Sequence, residues 1–313
     1  MKNTMLNKAN VQGILYNQDL TLQTTGANSK NPGTEYIRGS ISIAVDPEMT
    51  NIIDVHFLYV TENTKKGKSA TFTVLKKIID GTLPNHMEHN CDTTFLSVNT
   101  SIGLNEFYSK NTGEERLVSN QRYIGGLVRH IKENELAPMA EAGMVSERNN
   151  FLVEGVITNI NRLDADPEQE LPERMAVRGA IFDFRKALLP VEFVLYGKKG
   201  MDFLEDNEVS SKHPMFLMIE GYVNSSTIVR KVEEETVFGP PIVRMSTKTR
   251  KEFVINSFNP GLWDDPSTIT EEELRNAMTE RNVYLATIKQ RQDEYEASKN
   301  NINVKESADE YDF

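Results

Sequence analysis

Two lysine-rich turns are the first residues in this sequence whose type and spacing could support binding chemistry. One contains Lys65, Lys66 and Lys68, and the other contains Lys198 and Lys199. Both carry the tripeptide Lys-Lys-Gly, at residues 65–67 and 198–200. Cations held along one path bind the phosphates of a nucleic acid strand and make its affinity depend on salt. The alternative is that both turns are ordinary solvated loops.

Aromatic and arginine side chains on the same face of a predicted strand would add base stacking to these phosphate contacts. Tyr36 and Arg38 lie on the polar face of a strand predicted over 35–46, and they are the strongest pair. A base stacked on an aromatic ring gains roughly 1–3 kcal/mol whatever its identity. The remaining members of the predicted nucleic-acid surface are Arg122, Tyr123, Arg178, Phe182, Phe184, Arg185, Tyr196, Arg230 and Lys231. For each aromatic residue the alternative is a place in the hydrophobic core.

The motifs typical of catalysis do not occur in the sequence. The sequence contains no phosphate-cradling Gly-Lys-Ser/Thr loop and no nucleophile elbow. We therefore predict no catalytic residue, no metal ligand and no cofactor, and we expect a protein that is not an enzyme.

An internal repeat would position the candidate residues. Three short motifs recur in the same order with offsets of 142, 140 and 136 residues (153 − 11, 177 − 37 and 191 − 55). The matched segments are 11–14 with 153–156, 37–41 with 177–181, and 55–57 with 191–193. Three ordered matches predict a duplicated domain.

Each copy is predicted to contain three strands, a short helix and two more strands. The order is that of the OB-fold, a small Greek-key barrel whose second and third strands form a binding face. Predicted strands of the first copy are 10–25, 35–46, 52–61, 94–108 and 116–131, with a helix over 71–81. Those of the second are 151–162, 174–185, 190–196, 215–224 and 251–258, with a helix near 199–207. A long excursion over 225–250 contains Gly239, Pro240 and Pro241, and a hairpin is one reading of it. The competing fold is another small all-β barrel or a sandwich.

The C-terminal part changes from strand to helix patterns. Thr270 and Glu273 have the spacing of a capping box, and Leu274, Met278, Leu285, Ile288 and Tyr295 form an apolar stripe. The predicted class is mainly β, with two tandem OB-like five-stranded barrels, a C-terminal amphipathic helix and a disordered acidic tail. Predicted boundaries are 1–148, 149–263, 264–299 and 300–313. We expect the helix to pack on the second barrel rather than to form a dimer.

The composition of the chain indicates its cellular compartment and shows where its negative charge lies. The chain of 313 residues has one cysteine and no apolar leader, which favours the cytoplasm. The net charge is −11, and 13 acidic against 6 basic residues over 264–313 account for −7 of it. The first 263 residues therefore carry −4, so a basic groove on one face is compatible with the composition.

The end of the chain resembles the acidic, phenylalanine-terminated tail of bacterial and phage single-stranded DNA-binding proteins. The matching residues are Asp309, Glu310, Asp312 and Phe313. The common bacterial ending has Ile-Pro before the phenylalanine, and this chain has Tyr311 and Asp312 there. The resemblance implies that this tail recruits replication and repair proteins and competes with DNA for the groove. The tandem barrel arrangement departs from the single barrel usual in the bacterial proteins.

The sequence as a whole predicts a protein that coats single-stranded DNA in replication, recombination or repair, with a phage as the expected source. Its expected partners are single-stranded DNA and, through the tail, replication and repair proteins; no membrane is involved. One alternative is a non-enzymatic β-barrel interaction or virion protein without DNA affinity. Another is a replication enzyme with an unrecognised site. The sequence leaves monomer and dimer open.

Overall fold

The described residues form twelve strands and four α-helices. The structure is a computed structural model and describes residues 5–27, 29–65, 67–89, 94–111, 114–139, 145–167, 171–234, 242–261 and 269–308. The strands are β1 (Asn7–Thr24), β2 (Glu35–Ala44), β3 (Ile52–Thr61), β4 (Asn63–Thr64), β5 (Gly67–Lys68), β6 (Phe95–Asn111), β7 (Glu114–Ile131), β8 (Asn149–Leu163), β9 (Arg174–Phe182), β10 (Leu188–Leu195), β11 (Met215–Glu234) and β12 (Ile242–Pro260). The helices are α1 (Ala70–Ile79), α2 (His86–His89), α3 (Lys198–Asp206) and α4 (Glu271–Ala308).

Two five-stranded barrels account for most of these strands. In the first, β1 pairs with β2, β2 with β3, β3 with β7, β7 with β6, and β6 again with β1. In the second, β8, β9, β10, β12 and β11 close in the same order. The contacts of β3 with β7 and of β10 with β12 are parallel, and the others are antiparallel. This topology, with a helix after each third strand, confirms the predicted mainly β, OB-like class.

The two barrels join edge to edge through β1 and β8, which pair antiparallel. Asn7 lies opposite Val153, and Val11 lies opposite Asn149. The repeat makes residue 153 equivalent to residue 11, and residue 149 equivalent to residue 7. The two pairings are therefore equivalent, with the roles of the two barrels exchanged. A local twofold axis therefore passes between Ala9 and Phe151, which face each other. The duplication seen in the sequence thus builds a continuous ten-stranded sheet with one shared apolar core.

The excursion over 225–250, for which the sequence offered a hairpin as one reading, is a hairpin in its described residues: β11 and β12 extend into it with Ile228 opposite Lys248. Two other elements differ from the sequence prediction. The short helix α2 was not predicted. Helix α4 continues to Ala308, beyond the predicted end at residue 299. Residues 300–308, which the sequence prediction assigned to the tail, contain no proline or glycine that would end the helix.

Helix α4 spans both barrels. The predicted capping box starts it: Thr270 N donates to Glu273 Oε2 (2.9 Å), and Glu273 N donates to Thr270 Oγ1 (3.3 Å). Its first turns cover β9 and β10 of the second barrel through Leu274 and Ala277. Further along, the Gln292 side chain bonds both backbone groups of Tyr108 on β6 of the first barrel. No helix among the described residues is long and apolar enough to cross a membrane.

Candidate nucleic-acid interface

A bulge between β2 and β3 shapes the outer face of the first barrel. The register shifts so that Ile37 faces Val60, and Gly39 faces Phe57. Gly39 has φ +125°, and a Cβ there would lie 1.8 Å from the carbonyl oxygen of Asp19. Only glycine fits this position without strain. The bulge leaves two consecutive β3 residues, Leu58 and Tyr59, both exposed opposite Arg38.

The bulge brings the rings of Tyr36 and Tyr59 together beside Arg38. We call the surface formed by these three residues the tyrosine face. The rings of Tyr36 and Tyr59 pack with centroids 4.7 Å apart and planes tilted by 36°. The Tyr36 hydroxyl donates to Gln23 Oε1 at 2.7 Å, which fixes the ring. Tyr59 is 52% exposed, and Arg38 beside the pair is also exposed. The tyrosine face therefore offers an exposed aromatic ring with a cation next to it, on the strands used for binding in OB-folds.

The outer face of the first barrel leads from the tyrosine face into a cleft between the barrels. His56 lies on the same outward side of β3, two residues before Leu58, and it lines this cleft. The inter-barrel cleft has a volume of about 700 Å³ and lies between β3, β6 and β7 of one barrel and β10 and β12 of the other. Its cationic wall residues are Arg122, Arg250 and Lys251.

Burial governs the electrostatics of the inter-barrel cleft. Desolvation lowers the pKa of Lys251, and the neighbouring Arg122 lowers it further, while Asp54 opposes the shift. Burial likewise lowers the pKa of Arg122 and, with help from the positive charge of Arg122, that of His56. Each of these groups is therefore less favourably charged than it would be in water.

The second barrel does not repeat the tyrosine face. The repeat places Ala176 where the first barrel has Tyr36 (36 + 140), and Ala176 is buried. Arg178, which corresponds to Arg38, forms an ion pair with Glu192 on β10, with Nε and Oε2 2.5 Å apart. The outer β9–β10 face is thus occupied by a cross-strand ion pair and, further along, by α4.

Two aromatic residues predicted to stack on bases lie in the core instead. Tyr123 is 0% exposed and donates its hydroxyl to Asn149 Oδ1 (3.3 Å) across the barrel seam. Burial raises the pKa of the Tyr123 phenol. Phe182 has the outward parity expected, but α4 covers it, and it packs with Ala180, Leu188 and Ala277. Because no base can reach either ring, we exclude both from the candidate interface.

Tyr196, the third aromatic residue proposed for the second copy, is half-buried. It donates its hydroxyl to Glu252 Oε2 at 2.7 Å and accepts a hydrogen bond from Arg250 Nη2 at 3.0 Å. Burial and the Glu252 bond raise its pKa to about 12. This phenol positions the Arg250 and Glu252 side chains at the edge of the cleft and does not present a free ring face.

Phe184 and Arg185 form a separate exposed group on the turn between β9 and β10. Phe184 is 78% exposed, and the Arg185 guanidinium lies over its ring at 5.0 Å from the centroid. The pair has the composition of a stacking site, but it lies on the second barrel, apart from the tyrosine face.

The predicted lysine turns are exposed. Lys65 lies in the turn of the small β4–β5 hairpin and Lys68 lies in β5, with Lys68 Nζ 3.6 Å from Glu62 Oε1. Lys198 and Lys199 open α3. Arg230 and Lys231 lie on β11, opposite Ser246 and Met245. Lys66 and the tail residues Asp309, Glu310, Tyr311, Asp312 and Phe313 lie outside the described residues.

Sequence reasoning missed Tyr59, His56, Arg250 and Lys251. The signal for Tyr59 was a glycine on the neighbouring strand, which often marks a bulge and a break in alternation. Arg250 and Lys251 belong to the second copy and meet Arg122 and His56 only because the barrels dock, so no local pattern marks them. Within the described residues, no group of three or more His, Cys, Asp or Glu side chains is arranged to hold a metal ion.

Comparison with known proteins gave a family match and several similar solved structures, among them two forms of one protein. The family model described as YorF matches residues 6–307. None of the curated proteins matches the chain. A deletion mutant of the single-stranded DNA binding protein from Thermus aquaticus is 9% identical, with a TM-score of 0.44, covering 85% of this chain and 99% of its own. The wild-type form is 10% identical, with a TM-score of 0.44, covering 83% and 95%.

Proposed function

Since the chain belongs to the YorF family over residues 6–307, we propose that this member of the family binds single-stranded DNA without sequence preference. The tyrosine face carries the proposal. It places two packed aromatic rings and an exposed arginine on the second and third strands of an OB barrel. A face of this kind stacks bases of any identity, because every base has a π surface.

The surrounding cations support binding of several successive phosphates of a strand rather than a single one. Lys65 and Lys68 lie on the hairpin that directly follows β3, and His56 leads from the tyrosine face toward Arg122 and Lys251 in the inter-barrel cleft. Cations spaced along a surface bind successive phosphates and release counterions. The proposed role is therefore binding and coating of a strand, not catalysis.

A fluorescence titration with oligo-dT at two salt concentrations tests the function. We expect quenching of protein fluorescence on binding and a logarithmic salt slope of about −0.7 for each phosphate neutralised. Duplex DNA of equal length is the control, because its bases are not available for stacking. Absence of binding at low salt would refute the proposal and favour a β-barrel interaction or virion protein without DNA affinity.

The biological setting is a further part of the proposal. We propose that the protein acts in the cytoplasm of a host cell, in phage DNA replication, recombination or repair. The C-terminal sequence supports a second activity, since Asp309, Glu310 and Asp312 surround Tyr311 and precede Phe313. Acidic residues with aromatic anchors bind basic, apolar slots on partner proteins.

Deletion of Asp309–Phe313 separates the two activities. We expect oligo-dT affinity to stay the same or to rise, because the deletion removes acidic residues that compete with DNA for cations. Recruitment of replication proteins should be lost in the same variant, as measured by pull-down with DNA-coated beads. A variant with Phe313→Ala alone is the control for the charge effect. A collapse of DNA binding on deletion would contradict competition by the tail.

A further inference from the structure

The inter-barrel cleft contains more hydrogen-bonding capacity than the protein uses. Three buried side-chain donors on its walls have no partner among the described residues: Gln121 Nε2, Arg122 Nε and Arg250 Nε. A buried donor without a partner costs free energy, so native structures normally satisfy such groups. Three of them around one cleft, from both barrels, indicate a ligand that accepts hydrogen bonds.

The charges in the cleft show which kind of ligand fits. Of the two carboxylates on its walls, Glu252 is paired with Arg250 Nη2 at 2.7 Å, and Glu192 is paired with Arg178 at 2.5 Å. Arg122 donates to the neutral Asn105 Oδ1 at 3.2 Å and has no ion pair among the described residues. Lys251 shares the cleft with Arg122. The wall therefore presents positive charge with unsatisfied N–H groups beside it.

We propose that the inter-barrel cleft binds a phosphate group. Phosphate oxygens accept several hydrogen bonds at once and pair with arginine in a charge-assisted geometry. The inference extends the proposed function, since a backbone phosphate of a strand that leaves the tyrosine face along His56 reaches this cleft. A free phosphate or mononucleotide offers the same chemistry and is distinguished by the experiment below.

The protonation behaviour of the wall residues is consistent with such a site. Burial lowers the pKa of both Lys251 and Arg122, so their charges are held in the folded protein at a cost. A bound anion would offset this cost. Neutralising either cation should leave the ligand-free protein as stable as the parent or more stable, while the anion site is lost. A cation with a purely structural role would behave in the opposite way.

Thermal unfolding and oligo-dT titration of the full chain test the site with Arg122→Gln and Lys251→Met. Lys212→Gln, at an exposed lysine between α3 and β11 and outside the candidate interface, is the matched control. We expect the Tm of the parent to be higher in inorganic phosphate than in chloride of equal ionic strength. This rise in Tm should be absent in the two cleft variants and present in the control variant. Their oligo-dT affinity should fall about tenfold, with the salt slope reduced by about 0.7 for the lost contact.

The outcomes separate this site from the proposed function. If phosphate stabilises the parent but oligo-dT does not bind, the cleft takes a free phosphate and the DNA proposal fails. The cleft proposal alone would be overturned by two results together. These are unchanged oligo-dT affinity and salt slope in both variants, and no phosphate-specific rise in the Tm of the parent. A lower Tm of both ligand-free variants with the phosphate response intact would also overturn it, since the cations would then be structural.

Discussion

Replacement of Tyr59 by alanine is expected to weaken oligo-dT binding about tenfold or more, because the variant loses an exposed ring on which a base stacks. Tyr36→Ala should have a similar effect. The two rings pack against each other at 4.7 Å, so they act as one platform. We therefore expect the double variant to lose less than the product of the single losses. Fluorescence titration at one fixed salt concentration measures all three affinities.

Matched variants separate stacking from folding and from a general loss of aromatic surface. Tyr36→Phe keeps the ring and removes only the hydroxyl that bonds Gln23, so binding should stay close to that of the parent. Tyr284 on α4 is exposed to a similar degree as Tyr59, at 53%, and Tyr284→Ala should leave affinity unchanged. An effect of Tyr284→Ala equal to that of Tyr59→Ala would contradict a specific role for the tyrosine face.

The tyrosine face shows where strand patterns suffice and where they fail. Alternation along 35–46 correctly predicted that Tyr36 and Arg38 share the outer face of β2. The same rule applied to β3 places Leu58 outside and Tyr59 inside, and the bulge opposite Arg38 breaks it. A bulge depends on two strands together, so a period-two pattern in one strand does not contain it.

The predictions that Phe182 and Tyr123 stack on bases were wrong for a different reason. The parity of Phe182 on β9 was right, but α4 returns from more than 80 residues later in the sequence to cover that face with Ala277 and Leu274. Tyr123 lies on the inner side of β7, where the docked second barrel supplies Asn149 as its hydrogen-bond acceptor. The order of strands and the duplication follow from local patterns. Which outer faces stay open is decided by packing between distant segments, which local sequence patterns do not show.

The largest stability effect is expected at Arg281, which connects α4 to both barrels. Its guanidinium forms an ion pair with Glu106 on β6 and donates through Nη1 to the Leu188 carbonyl (3.2 Å) on β10. The side chains of Arg281 and Glu106 are only 9% and 3% exposed. Arg281→Met leaves a buried carboxylate whose remaining partner is the Ser119 hydroxyl, at 3.0 Å. The free energy of unfolding in urea should fall by about 3–5 kcal/mol.

Two further variants show whether this loss comes from the unpaired charge. Arg281→Met with Glu106→Leu removes both charges and should recover most of the lost stability, because paired buried ions gain little over apolar packing. Lys289 forms the exposed counterpart on the same helix, 2.7 Å from Glu115, and Lys289→Met should cost less than about 1 kcal/mol. Amide exchange in β9 and β10 should rise in Arg281→Met, since α4 no longer covers Phe182. If Arg281→Met and Lys289→Met cost the same, Arg281 does not hold α4 across the two barrels.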